Sequence, residues 1–390
     1  MTPLEIVVMN DQLFPINETD AEQIFQAMSA VGGEPDVQVS FLLPAAFRRT
    51  SAGADDLAAF YEVTRTFEVC HQKSLFPSVR AIEKIGHGLF ALSNPIFKRA
   101  DVVYSRNLPT VLSVLAFSDK PVVYETFRPW PDQQPVLTPV LKWMVARPRF
   151  LGAVTHSSLA KASFVTIGLP EEKGLVAYNG YNPRLMQPVL SKAAARKQLG
   201  LPMDTPIVTY AGHVNMDKGL GIMLRLAGRM PNVHFIIVGS EGEGAVERAG
   251  RELANVRFVK WQPFSATVPY MYASDVLFIP PTAGPLTKVG NTVLPIKTFL
   301  YMASERAIFG PATPDLREVL EHDRNAVLVP PDDEEAAFQG LSTLLEKPRF
   351  RNRIAKTAKE DVSALTWEAR AARIVSFIKD HLEKSGLMQQ

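Results

Sequence analysis

The chain has 390 residues, 46% of them hydrophobic and 21% charged, with 42 basic and 40 acidic side chains and a formal net charge of +2. That length exceeds the roughly 100–200 residues of a single domain, the composition is that of a soluble globular protein, and the even charge balance argues against a nucleic-acid footprint. The single cysteine, Cys70, excludes an internal disulfide framework and a multi-cysteine zinc site and fits a reducing compartment, and no apolar run approaches the roughly 20 residues needed to span a bilayer.

The first ordered signal is the apolar run Ile6-Val7-Val8-Met9, a buried strand ended by Asn10-Asp11. The stretch from Leu4 to Met9 is too short for a signal-peptide core and has no basic run before it. A cytoplasmic protein is therefore expected, with peripheral attachment at the inner face of the membrane left open. Thr19-Asp20-Ala21-Glu22 has the spacing of a capping box, and Ile24, Phe25, Met28 and Val31 follow at helical spacing until Gly32-Gly33. Val37, Val39 and Phe41-Leu42-Leu43 then form a second strand, which makes a βαβ unit. Residues 45–100 show no clean period and are expected to hold helices and loops.

The alternation resumes with strands at 101–104 and 121–124 around a helix at 108–117, then strands at 151–155 and 174–178 around a helix at 158–168. Between them, Leu137, Val140, Leu141 and Met144 recur at helical spacing with Lys142, Trp143, Arg147 and Arg149 interleaved. This predicts a helix packed on the first sheet with a basic outer face; contact with an anionic membrane is the alternative. Asn179-Gly180-Tyr181-Asn182-Pro183 is turn chemistry, and a charged helix follows from Lys192 to Leu199. A second strand series begins at 207–211 and continues at 234–238, 256–259, 276–279, 307–309 and 326–329. The last helix, about 367–382, has no strand after it. The expected fold class is α/β, with two Rossmann-like doubly wound domains facing each other across a cleft. Their expected extents are 1–185, completed by helix 366–390, and 186–365.

Three segments carry candidate chemistry. In Ala211-Gly212-His213-Val214-Asn215-Met216-Asp217-Lys218-Gly219-Leu220, Gly212 permits a close backbone turn and a helix N-terminus follows at Gly219. Lys218 is placed to reach a diphosphate as a point charge; a plain strand-to-helix loop with a solvated lysine is the equal alternative. Val238-Gly239-Ser240-Glu241-Gly242-Glu243-Gly244 is glycine-rich but is not G-x-G-x-x-G, so it reads as a flexible loop before it reads as a phosphate cradle. The segment 280–303 is a long loop that becomes a helix after Pro295; Lys288 and Lys297 add charge, and Gly290, Asn291 and Thr292 offer donors to phosphate or sugar.

Outside these segments, His156 and Glu125 follow or end strands at a carboxyl edge, and Arg128 is either an anion ligand or a partner for an acid. His234 reads as structural, and His322 and His381 as exposed. No Asp-x-Asp ends a strand, and Asp332-Asp333-Glu334-Glu335 reads as a solvated helix start, so no metal site is expected.

Taken in order, these pieces resemble the retaining GT-B glycosyltransferases of family 4. The matching segments are Gly212 with Lys218-Gly219, Ile237-Val238-Gly239, Val256-Arg257-Phe258, Tyr270-Met271-Tyr272-Ala273-Ser274-Asp275-Val276, Pro295-Ile296-Lys297 with Tyr301-Met302-Ala303, and Asn325-Ala326-Val327-Leu328-Val329 with Asp332. In the first half, Val122-Val123-Tyr124-Glu125 and Tyr178-Asn179-Gly180-Tyr181-Asn182 also fit. The resemblance implies a nucleotide-diphosphate sugar, UDP- or GDP-linked, on the second domain, with no cofactor and no metal. Lys218 would hold the diphosphate. Gly212, Gly290, Asn291, Thr292 and Lys297 would face phosphates and sugar, and Gly239, Glu241, Lys260 and Trp261 would border the base. Lys218, His213 and Glu125 are the expected catalytic groups. A saccharide, lipid-linked or small-molecule acceptor would enter near Glu18, Glu125, Arg128 and His156. Four positions depart from the family pattern: His213 replaces a common arginine, Thr292 and Leu300 replace two glutamates, and Phe127 replaces a histidine. The implied reaction is hexose transfer with retention of configuration. The alternatives are a sugar-nucleotide epimerase of the same fold or a catalytically degenerate partner protein.

Overall fold

The computed structural model describes residues 2–45, 51–73, 80–284 and 294–387. The chain forms two compact units, Met1–Asn179 with Trp367–Gln390, and Gly180–Thr366. The boundary lies a few residues earlier than the sequence suggests. Tyr181 bridges to Thr366 and donates its N–H to Leu365 O at 3.2 Å, which ties both crossing segments into the second unit.

The first unit is built on a seven-stranded parallel sheet. Its strands are β1 (Leu4–Met9), β2 (Val37–Pro44), β3 (Phe67–Gln72), β4 (Val102–Ser105), β5 (Val122–Thr126), β6 (Phe150–Thr155) and β7 (Gly174–Val176). They lie in the order β3-β2-β1-β4-β5-β6-β7. The central strands open on apolar runs because helices cover both faces; β4, β5 and β6 are buried at every position, including the polar residues at their carboxyl ends. Val7, Met9, Val103, Tyr124, Phe150 and Phe164 are core members.

Three expectations change here. Residues 45–100 contain β3 as well as helices Ala54–Phe60, Arg80–Ala91 and Pro95–Arg99. The strand escapes the sequence because it is an edge strand, pairing only with β2, and only its end residues Phe67 and Gln72 are buried. The capping box does not form: helix Thr19–Gly32 has Glu18 at its N-cap, so the Thr19 hydroxyl is already inside the first turn. His381 is buried rather than exposed, with Phe377 O 2.8 Å from its Nδ1. It sits on helix Trp367–Lys384, which packs against helix Thr19–Gly32 and β6 and so completes the first unit. The basic segment forms helix Thr138–Val145, with Leu141 and Met144 buried in the same core.

The second unit holds a six-stranded parallel sheet of β8 (Ile207–Ala211), β9 (His234–Ser240), β10 (Val256–Lys260), β11 (Val276–Phe278), β12 (Ala307–Pro311) and β13 (Val327–Val329). The order is β10-β9-β8-β11-β12-β13. Helix Lys192–Leu199 is clipped to this unit by Arg196, which is buried. Its guanidinium donates to Asp275 at 2.7 Å and to the carbonyls of Ala273 and Met203, and Asp275 also accepts the Ile207 N–H.

In both sheets the chain starts near the middle, winds outward one way, then returns to wind the other way. The reversal falls between β1 and β4 in the first unit and between β8 and β11 in the second. Ligands of such sheets bind outside the carboxyl ends of the strands at that reversal.

Candidate functional site

In the second unit the reversal point brings together the loops after β8, β9 and β11. Gly212, just past β8, has φ +140, and its N–H donates to Val238 O at 3.0 Å. Gly239, at the end of β9, has φ +112, and a Cβ there would stand 2.3 Å from Gly212 O. Gly239 therefore requires glycine twice over, for the backbone angle and for the approach of one loop to the other, while Gly212 requires it for the angle. The next turn is a short 3-10 segment, Met216–Lys218, whose N-cap Asn215 accepts the Lys218 N–H on its side chain at 3.1 Å. Helix Leu220–Arg229 follows, with its first N–H groups facing this edge.

Two ammonium groups meet at this edge. Lys218 is exposed. Lys297 opens helix Lys297–Ala303, and its Nζ lies 3.7 Å from the centre of the Tyr210 ring. A Cβ at Gly212 would stand only 2.7 Å from that Nζ. Removal from water, helped by the neighbouring Lys218 charge, pushes the Lys297 pKa well below its ordinary value. Among the described residues neither ammonium has an acidic partner. A desolvated cation next to a second cation is costly unless an anion joins them. Helix Lys297–Ala303 is fixed to the sheet by Tyr301, whose hydroxyl oxygen accepts the Ala211 N–H at 2.8 Å.

The remaining donor-side expectations fall as follows. His213 is partly buried, with Nδ1 3.9 Å from Glu241 Oε1. Glu241 and Lys260 are exposed. Trp261 is 45% exposed, and its backbone N–H donates to Ser240 O at 2.8 Å, which holds this residue beside the end of β9. Leu300 is buried on helix Lys297–Ala303. Lys288, Gly290, Asn291 and Thr292 lie outside the described residues. Among the described residues no group of three or more His, Cys, Asp or Glu side chains is arranged to hold a metal.

At the matching edge of the first unit, Glu125 is fully buried near the end of β5. Its carboxylate accepts hydrogen bonds from Tyr104 Oη, from Arg106 Nη2 at 2.5 Å, from His156 Nε2 at 2.5 Å and from Arg370 Nη2 at 2.8 Å. Burial alone would raise its pKa, but the two guanidiniums and the imidazole outweigh it and hold the carboxyl well below the usual range. Burial and the same two cations take His156 down to about 4. Arg106 directly follows β4 at the reversal point and also donates to Asp20 O at 3.0 Å. Arg370 comes from the terminal helix and reaches Ala177 O at 3.3 Å. Glu18 is exposed just before helix Thr19–Gly32. The Arg128 guanidinium lies over the rings of Phe127 and Trp130, at 5.5 and 5.1 Å.

The structure thus assembles Gly212, Lys218, Gly239 and Lys297 at one edge and Glu125 with His156 at the other. It adds Tyr104, Arg106, Tyr210 and Arg370, which sequence reasoning missed. Arg106 carried a usable signal, since it ends a strand as Glu125 does. Arg370 carried none, being 245 positions from its partner.

Residues 205–347 match the model of the family described as glycosyl transferases group 1. A glycosyltransferase of Methanocaldococcus jannaschii, itself uncharacterized, is 26% identical over 245 residues, which is 60% of this chain and 61% of that protein's length. Sucrose-phosphate synthase from Thermosynechococcus elongatus superposes with a TM-score of 0.77 at 15% identity, over 98% of this chain and 100% of that one. Anabaena HepE in complex with UDP and glucose superposes with a TM-score of 0.67 at 18% identity, over 96% of this chain and 99% of that one. The fold is therefore that of the GT-B proteins, and the segment carrying the Gly212, Lys218, Gly239 and Lys297 loops is the part of the chain that matches the glycosyl transferases group 1 model.

Proposed function

We propose that this protein transfers a hexose from a UDP- or GDP-linked sugar to a saccharide, lipid-linked or small-molecule acceptor, with retention of configuration and without a metal. The observation that carries this reading is the meeting of Lys218 and Lys297 with no acidic partner among the described residues, beside Gly212 and Gly239 and a helix N-terminus. That arrangement supplies fixed positive charge where a nucleoside diphosphate would leave, so charge developing on the leaving group is stabilised without reorganisation. Trp261 offers a half-exposed aromatic face beside the β9 loop for the base. The HepE complexes hold UDP and UDP-glucose, which supports a uridine donor first. Leu300 stands where the glutamate that meets the ribose usually lies, and leucine accepts no hydrogen bond, so ribose recognition here falls to other groups.

The test is thermal unfolding against UDP, GDP, ADP, dTDP and CMP, with EDTA present. A ligand that binds only the folded state adds about 2.7 kcal/mol at a hundredfold excess over Kd. A selective rise with one diphosphate supports the donor site; no rise with any removes it. Conversion of the bound nucleotide sugar without any acceptor would favour the epimerase.

A further inference from the structure

The Glu125 cluster has a chemical consequence that burial alone does not require. Its carboxylate is ionised, because Arg106 and Arg370 both donate to it and neither loses its proton in a protein. An ionised carboxylate only accepts hydrogen bonds. The proton between Glu125 and His156 therefore belongs to Nε2. Burial, together with the same two guanidiniums, opposes a second proton on the ring, so the imidazole is neutral and its lone pair is on Nδ1. Among the described residues nothing donates to Nδ1. Nor is it one of the sealed, partnerless polar atoms of this unit, which include Arg106 Nε, Arg370 Nη1 and Asn179 Oδ1. His156 directly follows β6, on the carboxyl edge where a doubly wound sheet binds its ligand.

We propose that His156 Nδ1 accepts a hydrogen bond from the attacking hydroxyl of the acceptor, and that Glu125 is the positioning residue that fixes the ring in this form. The inference rests on the glycosyl-transfer reading. The hydroxyl oxygen forms the new bond to the anomeric carbon, the bond from that carbon to the diphosphate oxygen breaks, and the proton passes to the departing diphosphate. His156 is too weak a base to keep it; it orients the O–H.

Two isosteres separate this role from a structural one. His156→Gln keeps a donor where Nε2–H meets Glu125 but has nothing at Nδ1. His156→Asn keeps an acceptor at Nδ1 and gives up the bond to Glu125. A structural role makes the glutamine variant the milder one. The proposal requires the reverse order in turnover: with the nucleotide sugar chosen by the thermal-shift series and water as the acceptor, release of the diphosphate falls about tenfold to a hundredfold in His156→Gln and less in His156→Asn. Equal rates, or glutamine above asparagine, overturn it. Diphosphate binding is expected to be unchanged in both variants.

Ring ¹⁵N spectra of the full chain, with His156 assigned by its loss in His156→Gln, give an independent reading. The expected state is neutral and protonated on Nε2 from pH 5.5 to 8; an Nδ1–H form, or a titration in that window, overturns the proposal. Intact diphosphate binding with no turnover in the wild type removes the transfer reading and the hydroxyl role together, while the spectra still judge the tautomer. Loss of diphosphate binding in the wild type removes the donor site alone.

Discussion

Replacing Glu125 with glutamine strands two guanidiniums. Arg370 is 3% exposed in its side chain and Arg106 13%, and their other donors already serve Ala177 O and Asp20 O or are enclosed without a partner. Removing one side of a buried ion pair costs about 3–5 kcal/mol, because the charge left behind has neither water nor a counter-ion. Glutamine keeps one acceptor oxygen, so the lower end, about 3 kcal/mol at pH 7, is the expected loss. The double variant Glu125→Gln/Arg370→Met removes one stranded cation and is expected to be more stable than Glu125→Gln alone. Urea unfolding followed by tryptophan fluorescence suits the question, since three of the four tryptophans, Trp130, Trp143 and Trp367, lie in this unit. The pH dependence has a fixed sign. The folded pKa of Glu125 is depressed below the ordinary 4.5, so its contribution is fully present above 4.5 and is lost as pH falls through the folded value. A loss under about 1 kcal/mol at pH 7, or a double variant no better than the single, would refute the clamp.

Lys297→Met is expected to raise the unfolding midpoint of the unliganded protein, because a desolvated charge disappears, and to weaken diphosphate binding about tenfold to a hundredfold; calorimetric titration reads the second effect. Lys218→Ala, on the exposed turn, is expected to weaken the same binding and leave the midpoint where it was. Gly239→Ala forces a Cβ to within 2.3 Å of Gly212 O at φ +112, and is expected to cost about 1–3 kcal/mol in strain and to lower nucleotide affinity; wild-type affinity with wild-type stability would contradict the loop contact. Asp315 is fully buried, its carboxylate oxygens have no well-formed hydrogen bond among the described residues, and burial outweighs the nearby Thr313 hydroxyl and Leu316 N–H to raise its pKa from 3.8 to about 6. Ionising it in the folded state therefore costs stability as pH rises between those values, so Asp315→Asn should stabilise the protein by up to about 3 kcal/mol above pH 6. That gain should vanish by pH 4, and a gain independent of pH would show that the carboxyl is already paired.

The alternation of strands and helices was legible because β1, β4, β5, β6, β8 and β9 are largely buried and are dominated by apolar residues. β3 was not, because an edge strand with its middle residues half-exposed has no such run. The donor edge could be read from Gly212, Lys218 and Gly239, whose spacing after strands reports a backbone need for glycine and a helix start. The pairing of Lys297 with Tyr210 could not, since it depends on how a helix some 90 residues later lies across β8. Glu125 and His156 were visible as strand-end residues. Their mutual bond was not, nor was Arg370, because ion pairs between distant elements leave no period in the chain. Thr19 failed as a cap for a local reason: the spacing of a capping box fixes its members but not which of them begins the helix.

Arg370 also bears on how the molecule is made. Its helix, Trp367–Lys384, belongs to the same unit as the segment ending at Asn179, yet it is synthesised after the whole of the second unit. Domains ordinarily mature in the order of synthesis. Here the second unit, Gly180–Thr366, is contiguous and can finish while the first still waits for its closing helix. Until that helix docks, the Glu125 and Arg106 pair lacks the Arg370 guanidinium. The first unit thus receives its closing helix only after the second has been synthesised.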